Sequence, residues 1–292
     1  MIKRIKSVQN YLAMVKFAHT LFALPFALVG FVLALTISKA SFSIPLLFLV
    51  LVAMVSARNA AMGFNRYVDR DIDSLNPRTK EREIPSGKIS ARAALRFVII
   101  NLLIFLIAAW FINLLSFVLA FPTLLVLLGY SYFKRFSALS HYVLGAALSI
   151  APTGAYIAVT GTFHIAPVVL SILVLFWVSG FDIIYSLGDE KFDEENSLHS
   201  IPQLAGTKKA LIISSVSHCL VLPMLVLFYL SVEDLGVIYI VGAVIFSLLL
   251  LWQHLIISSK DLSKINAAFF TANGIASIIF ALFTIVDLLT AH

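Results

Sequence analysis

The chain alternates long apolar runs with short polar connections. Nine runs are legible, at about 12–36, 43–63, 92–112, 115–133, 138–159, 165–187, 209–231, 236–257 and 267–289. Each is apolar all round rather than along one stripe. An α-helix needs roughly 20 such residues to cross a hydrocarbon core of about 30 Å, whereas strands of a membrane barrel would be about ten residues long and alternate in polarity. The runs therefore predict helices. Pro25, Pro45, Pro122, Pro152, Pro167 and Pro223 fall inside them, which membrane helices tolerate where neighbours satisfy the freed carbonyls. Ser90 and Thr207 stand where N-caps of the third and seventh helices belong. The expected fold is all-α: a polytopic membrane protein of about nine transmembrane helices, with residues 1–292 forming a single domain.

Composition agrees. Of 292 residues, 61% are hydrophobic and 12% charged, and mean hydropathy is +1.00. A disordered chain is excluded, and a soluble enzyme does not fit. The single Cys219 rules out an intrachain disulfide and a cysteine-built zinc site. Residues 1–11 are basic and polar, and the apolar run after them is too long for a cleavable signal. The net charge of +6 reads as membrane orientation rather than as nucleic-acid binding. With the N-terminus in the cytoplasm, every Lys and Arg except Lys39 falls on the cytoplasmic side or at an adjoining helix end. The positive-inside rule then orients the protein N-terminus in and C-terminus out, which requires an odd number of spans.

The acids are unevenly placed. Asp69, Asp71, Asp73, Glu81 and Glu83 follow the second span; Asp182, Asp189, Glu190, Asp193, Glu194 and Glu195 close the sixth. These eleven, of 15 in all, face the cytoplasm in this orientation. Asn65, Asp69 and Asp73 are spaced i, i+4, i+8 and share one helix face, with Arg58 near the same stripe. On a continuous helix Asp182, Asp189 and Asp193, at i, i+7, i+11, also fall in a narrow angular range, with Tyr185 nearby. Like charges at i, i+4 repel, so both clusters call for cations. Carboxylate oxygens with the Asn65 amide oxygen suit Mg²⁺, which takes one or two carboxylates plus substrate phosphates. Two such helices with Mg²⁺ between them would hold a diphosphate, and Arg66, Arg70, Arg78, Lys134 and Arg135 would neutralise the rest of its charge. Asp71, Glu81, Glu83, Glu190, Glu194 and Glu195 read as ordinary solvated charges. Asp182 does not: an Asp inside an apolar span costs about 2.5–3.5 kcal/mol at the helix centre and marks function. Arg58 has the same character.

These residues resemble the UbiA superfamily of intramembrane aromatic prenyltransferases. Asn65-xxx-Asp69-xxx-Asp73, with Arg58 upstream and Arg78-Thr79 downstream, looks like its first signature. Asp182-xx-Tyr185-xxx-Asp189-xxx-Asp193 resembles its second. Tyr130 to Phe136, with Lys134 and Arg135, and then Gly145, resembles the stretch between its fourth and fifth helices. Arg66 departs from the Asp that many members carry there. His19 to Ala27, Phe181 to Tyr185 and His199 to Pro202 are similar to the bacterial 4-hydroxybenzoate polyprenyltransferase-like branch.

The resemblance implies transfer of a prenyl chain from a polyprenyl diphosphate to an aromatic acceptor, in ubiquinone or menaquinone synthesis, from a central cavity open to lipid. It implies Asn65, Asp69, Asp73, Asp189 and Asp193 as Mg²⁺–diphosphate residues, and Lys134 and Arg135 as diphosphate contacts; Arg66 and Arg78 are expected beside them from their charge alone. Asp182 and Tyr185 join the pocket. Arg58 is the expected cation for an acceptor carboxylate, and Asp182 or the released diphosphate takes the ring proton. The acceptor is 4-hydroxybenzoate-like or a dihydroxynaphthoate. The expected location is the inner membrane, multi-pass, with the active site on the cytoplasmic side and no obligate protein partner evident. His19 and His141 are possible acid–base groups. A secondary transporter also uses intramembrane acids and broken helices, but expects them near the midplane. A soluble-type prenyl synthase would carry DDxxD-like clusters on a soluble fold. Ile84-Pro85 and Gly87 echo Ile201-Pro202 and Gly206, which points either to two related four-helix halves or to ordinary loop punctuation.

Overall fold

The structure, a computed structural model, describes residues 2–16 and 22–291. Among them there are helices and turns and no strand. The helices are α1 (Ile2–Met14), α2 (Leu24–Ser38), α3 (Ile44–Val68), α4 (Arg70–Leu75), α5 (Ala91–Ile112), α6 (Leu114–Phe133), α7 (Ser140–Thr160), α8 (Ile165–Ser186), α9 (Glu190–Glu195), α10 (Ile201–Leu230), α11 (Val237–Leu255) and α12 (Asn273–Thr290). Eight helices among the described residues are long and apolar enough to cross a membrane, counting α8 through to Glu195 and α12 from Ala267.

The first expected span is a correction. Residues 12–36 do not form one helix: α1 ends at Met14, Lys16 takes a left-handed backbone with φ of 47°, and α2 begins only at Leu24. A side chain at positive φ stops a helix, and Pro25, which lacks an N–H, suits the first turn of the next one. The resulting α2 has 15 residues. His19 lies outside the described residues. Ser90 does cap α5, accepting from the Ala93 N–H. Thr207 does not begin α10. Ser200 does, accepting from the Gln203 N–H, and the helix then breaks at Gly206, whose φ of 77° only glycine adopts freely. The Thr207 hydroxyl instead donates to the Glu190 carboxylate.

The chain forms two compact units. The first combines Met1–Thr20 with Leu47–Tyr132, and the second combines Leu21–Leu46 with Phe133–His292. This is not a division into equal four-helix halves. Three of the long apolar helices lie in the first unit and five, with α2, in the second.

In the first unit, Met14 and Val15 are buried with Ile89 and Ala94 against Met62, Ile84 and Phe97. Tyr11 stacks on Phe97 at 5.1 Å. This anchors the end of α1 to α5 and to the loop before it.

In the second unit α8 is the central helix, with Leu170, Leu173, Val174, Trp177 and Val178 wholly buried. Lipid tails are as apolar as leucine, so close backbone approach and internal hydrogen bonds must hold membrane helices together. Both are present. A Cβ on Gly30 of α2 would run into the Pro152 carbonyl of α7, and a Cβ on Gly145 of α7 would lie 2.5 Å from the Leu175 carbonyl oxygen of α8. The Trp177 indole N–H donates to Asn273 Oδ1 at 2.8 Å. The Asn273 amide donates in turn to the Ala268 and Phe269 carbonyls, each at 3.0 Å. Those carbonyls belong to a π-helical turn, Ala267–Ala272, where the α-helical ladder is interrupted.

Candidate functional site

The first acidic motif lies where α3 passes into α4. Asp69 sits between the two helices, yet the backbone bonds from Asp69 N–H to the Asn65 carbonyl (2.9 Å) and from Asp73 N–H to the Asp69 carbonyl (2.7 Å) continue across the join. The i, i+4, i+8 register of Asn65, Asp69 and Asp73 therefore survives. Asp69 and Asp73 are 2% and 3% exposed, so both carboxylates have left bulk water and require compensation. The Asn65 amide nitrogen donates to Asp69 Oδ2 at 3.0 Å, and Arg66 donates to Asn65 Oδ1 at 3.3 Å. Asp73 Oδ1 is held by Arg82 at 2.7 Å. Its Oδ2 is buried and makes no hydrogen bond among the described residues. An orphaned carboxylate oxygen is costly and is the natural place for a cation.

The loop after α4 is built to deliver Arg82. The Asn76 carbonyl accepts from the Thr79 and Lys80 N–H groups, and the Thr79 carbonyl accepts from Arg82 N–H. The Thr79 hydroxyl ties the turn back to the Asp73 carbonyl at 3.0 Å. Arg82 was not singled out from the sequence. It lies nine residues beyond Asp73 through non-helical turns, so no periodicity links the two. Arg70, one of the cations expected to serve a diphosphate, donates to the Tyr67 carbonyl at 2.7 Å and lies 4.8 Å over the Tyr67 ring. Arg58 donates to the Val15 and Lys16 carbonyls at 3.1 and 3.0 Å. It thereby ties α3 to the end of α1. Among the described residues these two bonds leave part of the five-donor guanidinium uncommitted.

The second motif departs from a single helical stripe. After Ser186 the chain tightens into a 3₁₀ turn, Leu187–Asp189, before α9. Three residues at 3.0 per turn instead of 3.6 rotate the downstream chain by about 60°. This widens the angular spread of Asp182, Asp189 and Asp193 from about 40° to about 80°, the same spread that Asn65, Asp69 and Asp73 have on their shared face. Asp193 receives a hydrogen bond from the Ser200 hydroxyl, and Lys134 is near enough to interact with it electrostatically. The Lys134 carbonyl accepts from His199 N–H at 2.7 Å, joining the chain after α6 to the segment before α10. Tyr185 stacks on Phe269, with ring centroids 4.2 Å apart.

Asp182, in the last turn of α8, takes a partner from α7: its Oδ2 lies 2.7 Å from His141 Nδ1. The Ile201 N–H, at the start of α10, points to the other ring nitrogen at 3.3 Å. Sequence reasoning marked Asp182 and His141 separately, and only the packing of α7 on α8 joins them. Among the described residues no group of three or more His, Cys, Asp or Glu side chains is set to hold a metal ion.

The family model described as the UbiA prenyltransferase family matches residues 23–275. The chain is 29% identical over 241 residues to the 4-hydroxybenzoate octaprenyltransferase of Tolumonas auensis, covering 82% of this chain and 83% of that one. A protein of the same name from Psychromonas ingrahamii is 29% identical over 225 residues, 77% of each chain. Among solved structures, the apo UbiA homologue of Aeropyrum pernix K1 superposes with a TM-score of 0.83 at 31% identity, over 92% of this chain and 98% of that one. The UbiA homologue of Archaeoglobus fulgidus bound to GPP and Mg²⁺ gives 0.74 at 21% identity, over 96% and 99%. With the family model matching most of the chain and a solved UbiA homologue superposing over 92% of it, this multi-pass membrane protein belongs to the UbiA prenyltransferase family.

Proposed function

We propose that the chain moves a polyprenyl group from a polyprenyl diphosphate to a ring carbon of an aromatic hydroxy acid of the 4-hydroxybenzoate type. Residues 1–292 serve as a single prenyltransferase domain in the inner membrane, with the N-terminus and the active site on the cytoplasmic side. The observation that carries this reading is the buried first motif, with its register intact and the Asp73 Oδ2 oxygen unsatisfied, in a chain of this family.

The donors of each motif suit Mg²⁺: in the first, hard carboxylate oxygens from Asp69 and Asp73 with the Asn65 amide oxygen, and in the second, the carboxylates of Asp189 and Asp193. When bound, Mg²⁺ supplies Lewis-acid stabilisation of the charge that develops on the diphosphate. Arg66, Arg78, Lys134 and Arg135 bind the same leaving group as charge-assisted donors. Arg82 orients Asp73 through its 2.7 Å bond. Tyr185, stacked on Phe269, offers a π face to the allylic cation. Arg58 holds the acceptor carboxylate, and Asp182 receives the ring proton.

The test is direct. Purified protein is given a polyprenyl diphosphate, Mg²⁺ and, separately, 4-hydroxybenzoate, a dihydroxynaphthoate and homogentisate, and products are identified by mass spectrometry. A prenylated 4-hydroxybenzoate supports the reading, and prenylation of the naphthoate alone moves the acceptor. No product from any acceptor, with solute flux in liposomes instead, overturns it.

A further inference from the structure

His141 belongs to neither acidic motif, yet it is the partner that the buried Asp182 uses. The geometry assigns its protonation. Ile201 stands at the first position of α10, where backbone N–H groups lack intrahelical acceptors, and it donates to His141 Nε2 at 3.3 Å. A ring nitrogen that accepts carries no proton, so the proton is on Nδ1 and is donated to Asp182 Oδ2 at 2.7 Å. The imidazole is thus clamped between α8 and the start of α10, and its side chain is only 5% exposed. The Asp182 side chain is 20% exposed, and its second oxygen makes no hydrogen bond among the described residues. One oxygen is fixed and the other is open.

We infer that His141 is a positioning residue: it holds the Asp182 carboxylate so that the open oxygen, Oδ1, receives the proton that leaves the acceptor ring. The inference rests on the aromatic-acceptor reading above. In the step itself, the allylic C–O bond breaks and diphosphate leaves with its electron pair while the ring carbon bonds to the prenyl carbon. The C–H pair at that ring carbon then returns to the ring, and the proton passes to Asp182 Oδ1 and on to solvent. A neutral donor suits this role. It orients the carboxylate without cancelling its charge, whereas an imidazolium would form an ion pair and make the carboxylate a poorer base.

The experiment compares wild type, His141→Ala and His141→Gln, each also in an Asp182→Asn background. The substrates are a polyprenyl diphosphate and 4-hydroxybenzoate, unlabelled and ring-deuterated. Thermal unfolding is recorded for every variant. His141→Ala is expected to lower kcat by about 10–100-fold while the donor KM stays within about twofold. Its rate should become sensitive to ring deuteration, because proton removal is the step that slows. A glutamine amide can donate to Asp182 and accept from Ile201, so His141→Gln is expected to recover most of the turnover. In the Asp182→Asn background the alanine substitution should cost nothing further. Wild-type kcat in His141→Ala, a loss confined to KM, or an equal loss in the Asp182→Asn background each overturns the positioning role. If His141→Ala does not fold, the folded glutamine variant decides, and loss of turnover there counts against the proposal. Absence of product from the wild type with every acceptor would instead overturn the prenyl-transfer reading itself.

Discussion

Gly145→Ala tests the helix crossing on which the second half of the site depends. The added Cβ would lie 2.5 Å from the Leu175 carbonyl oxygen and would also meet the Ser179 hydroxyl. The hydroxyl can rotate, although it then gives up its 2.7 Å bond to the same Leu175 carbonyl. The carbonyl is backbone and can move only with α8. Ordinary contact begins at 3.4 Å, so α7 and α8 must separate locally by about 0.9 Å. Overpacking of this kind costs about 1–3 kcal/mol. The functional consequence lies one turn away. His141 precedes Gly145 by four residues and Asp182 follows Ser179 by three, so both pairs sit across the same crossing. Added to the 2.7 Å His141–Asp182 distance, the same displacement gives about 3.6 Å, which is no longer a hydrogen bond. Gly145→Ala is therefore expected to lower the unfolding temperature in detergent and to reduce kcat in the direction of His141→Ala. The assay pairs a thermal melt with steady-state prenylation. A Gly145→Ala protein with wild-type melting and wild-type kcat would refute the reasoning, because no unstrained place for the methyl group exists if α7 and α8 pack as described.

Other consequences arise from the same geometry. Asp69→Asn and Asp189→Asn should each abolish turnover while the melting temperature stays near that of the wild type; full activity in either removes that residue from the metal–diphosphate set. Chelation with EDTA should stop prenylation, and added Mg²⁺ should restore it, as read by product mass. Arg82→Ala leaves the Asp73 carboxylate buried without its cation. It should cost about 1–3 kcal/mol of stability and weaken Mg²⁺ activation, and a variant that melts and titrates like the wild type would count against the Arg82–Asp73 pair. Asn273→Leu removes the acceptor of the Trp177 indole N–H and of the buried Gln253 amide, which donates to Asn273 Oδ1 at 3.5 Å, for a loss of about 2–4 kcal/mol. Adding Trp177→Phe should recover part of it in the same melt, since the orphaned donor is then gone.

Much of this protein was legible from runs and spacings. The apolar segments from 43 onward correspond to α3, α5, α6, α7, α8, α10, α11 and α12, because a bilayer core demands long, internally hydrogen-bonded apolar helices and leaves few alternatives. The Asn65, Asp69 and Asp73 register was equally legible, since i, i+4 periodicity is a local property of the backbone and persists through the join between α3 and α4. Failures occurred where the chain leaves regular helix. The break after Met14, the 3₁₀ turn at Leu187–Asp189 and the kink at Gly206 each change direction or phase over a few residues. Hydropathy averaged over a span does not register such changes. Thr207 looked like a cap from the polar-to-apolar transition alone, yet Ser200 takes that role because the helix starts five residues before the break.

Local sequence therefore decides which segments are membrane helices and which acids share a face, since both depend on interactions within a few turns of one helix. Tertiary packing decides the partners of those acids. His141 and Asp182 are 41 residues apart, and they meet because Gly145 lets α7 approach α8 at backbone distance. Arg82 reaches Asp73 because a chain of turn hydrogen bonds folds the loop back on itself. A buried carboxylate must find a donor wherever the fold brings one, and that donor is selected by proximity in space rather than by any periodicity along the chain.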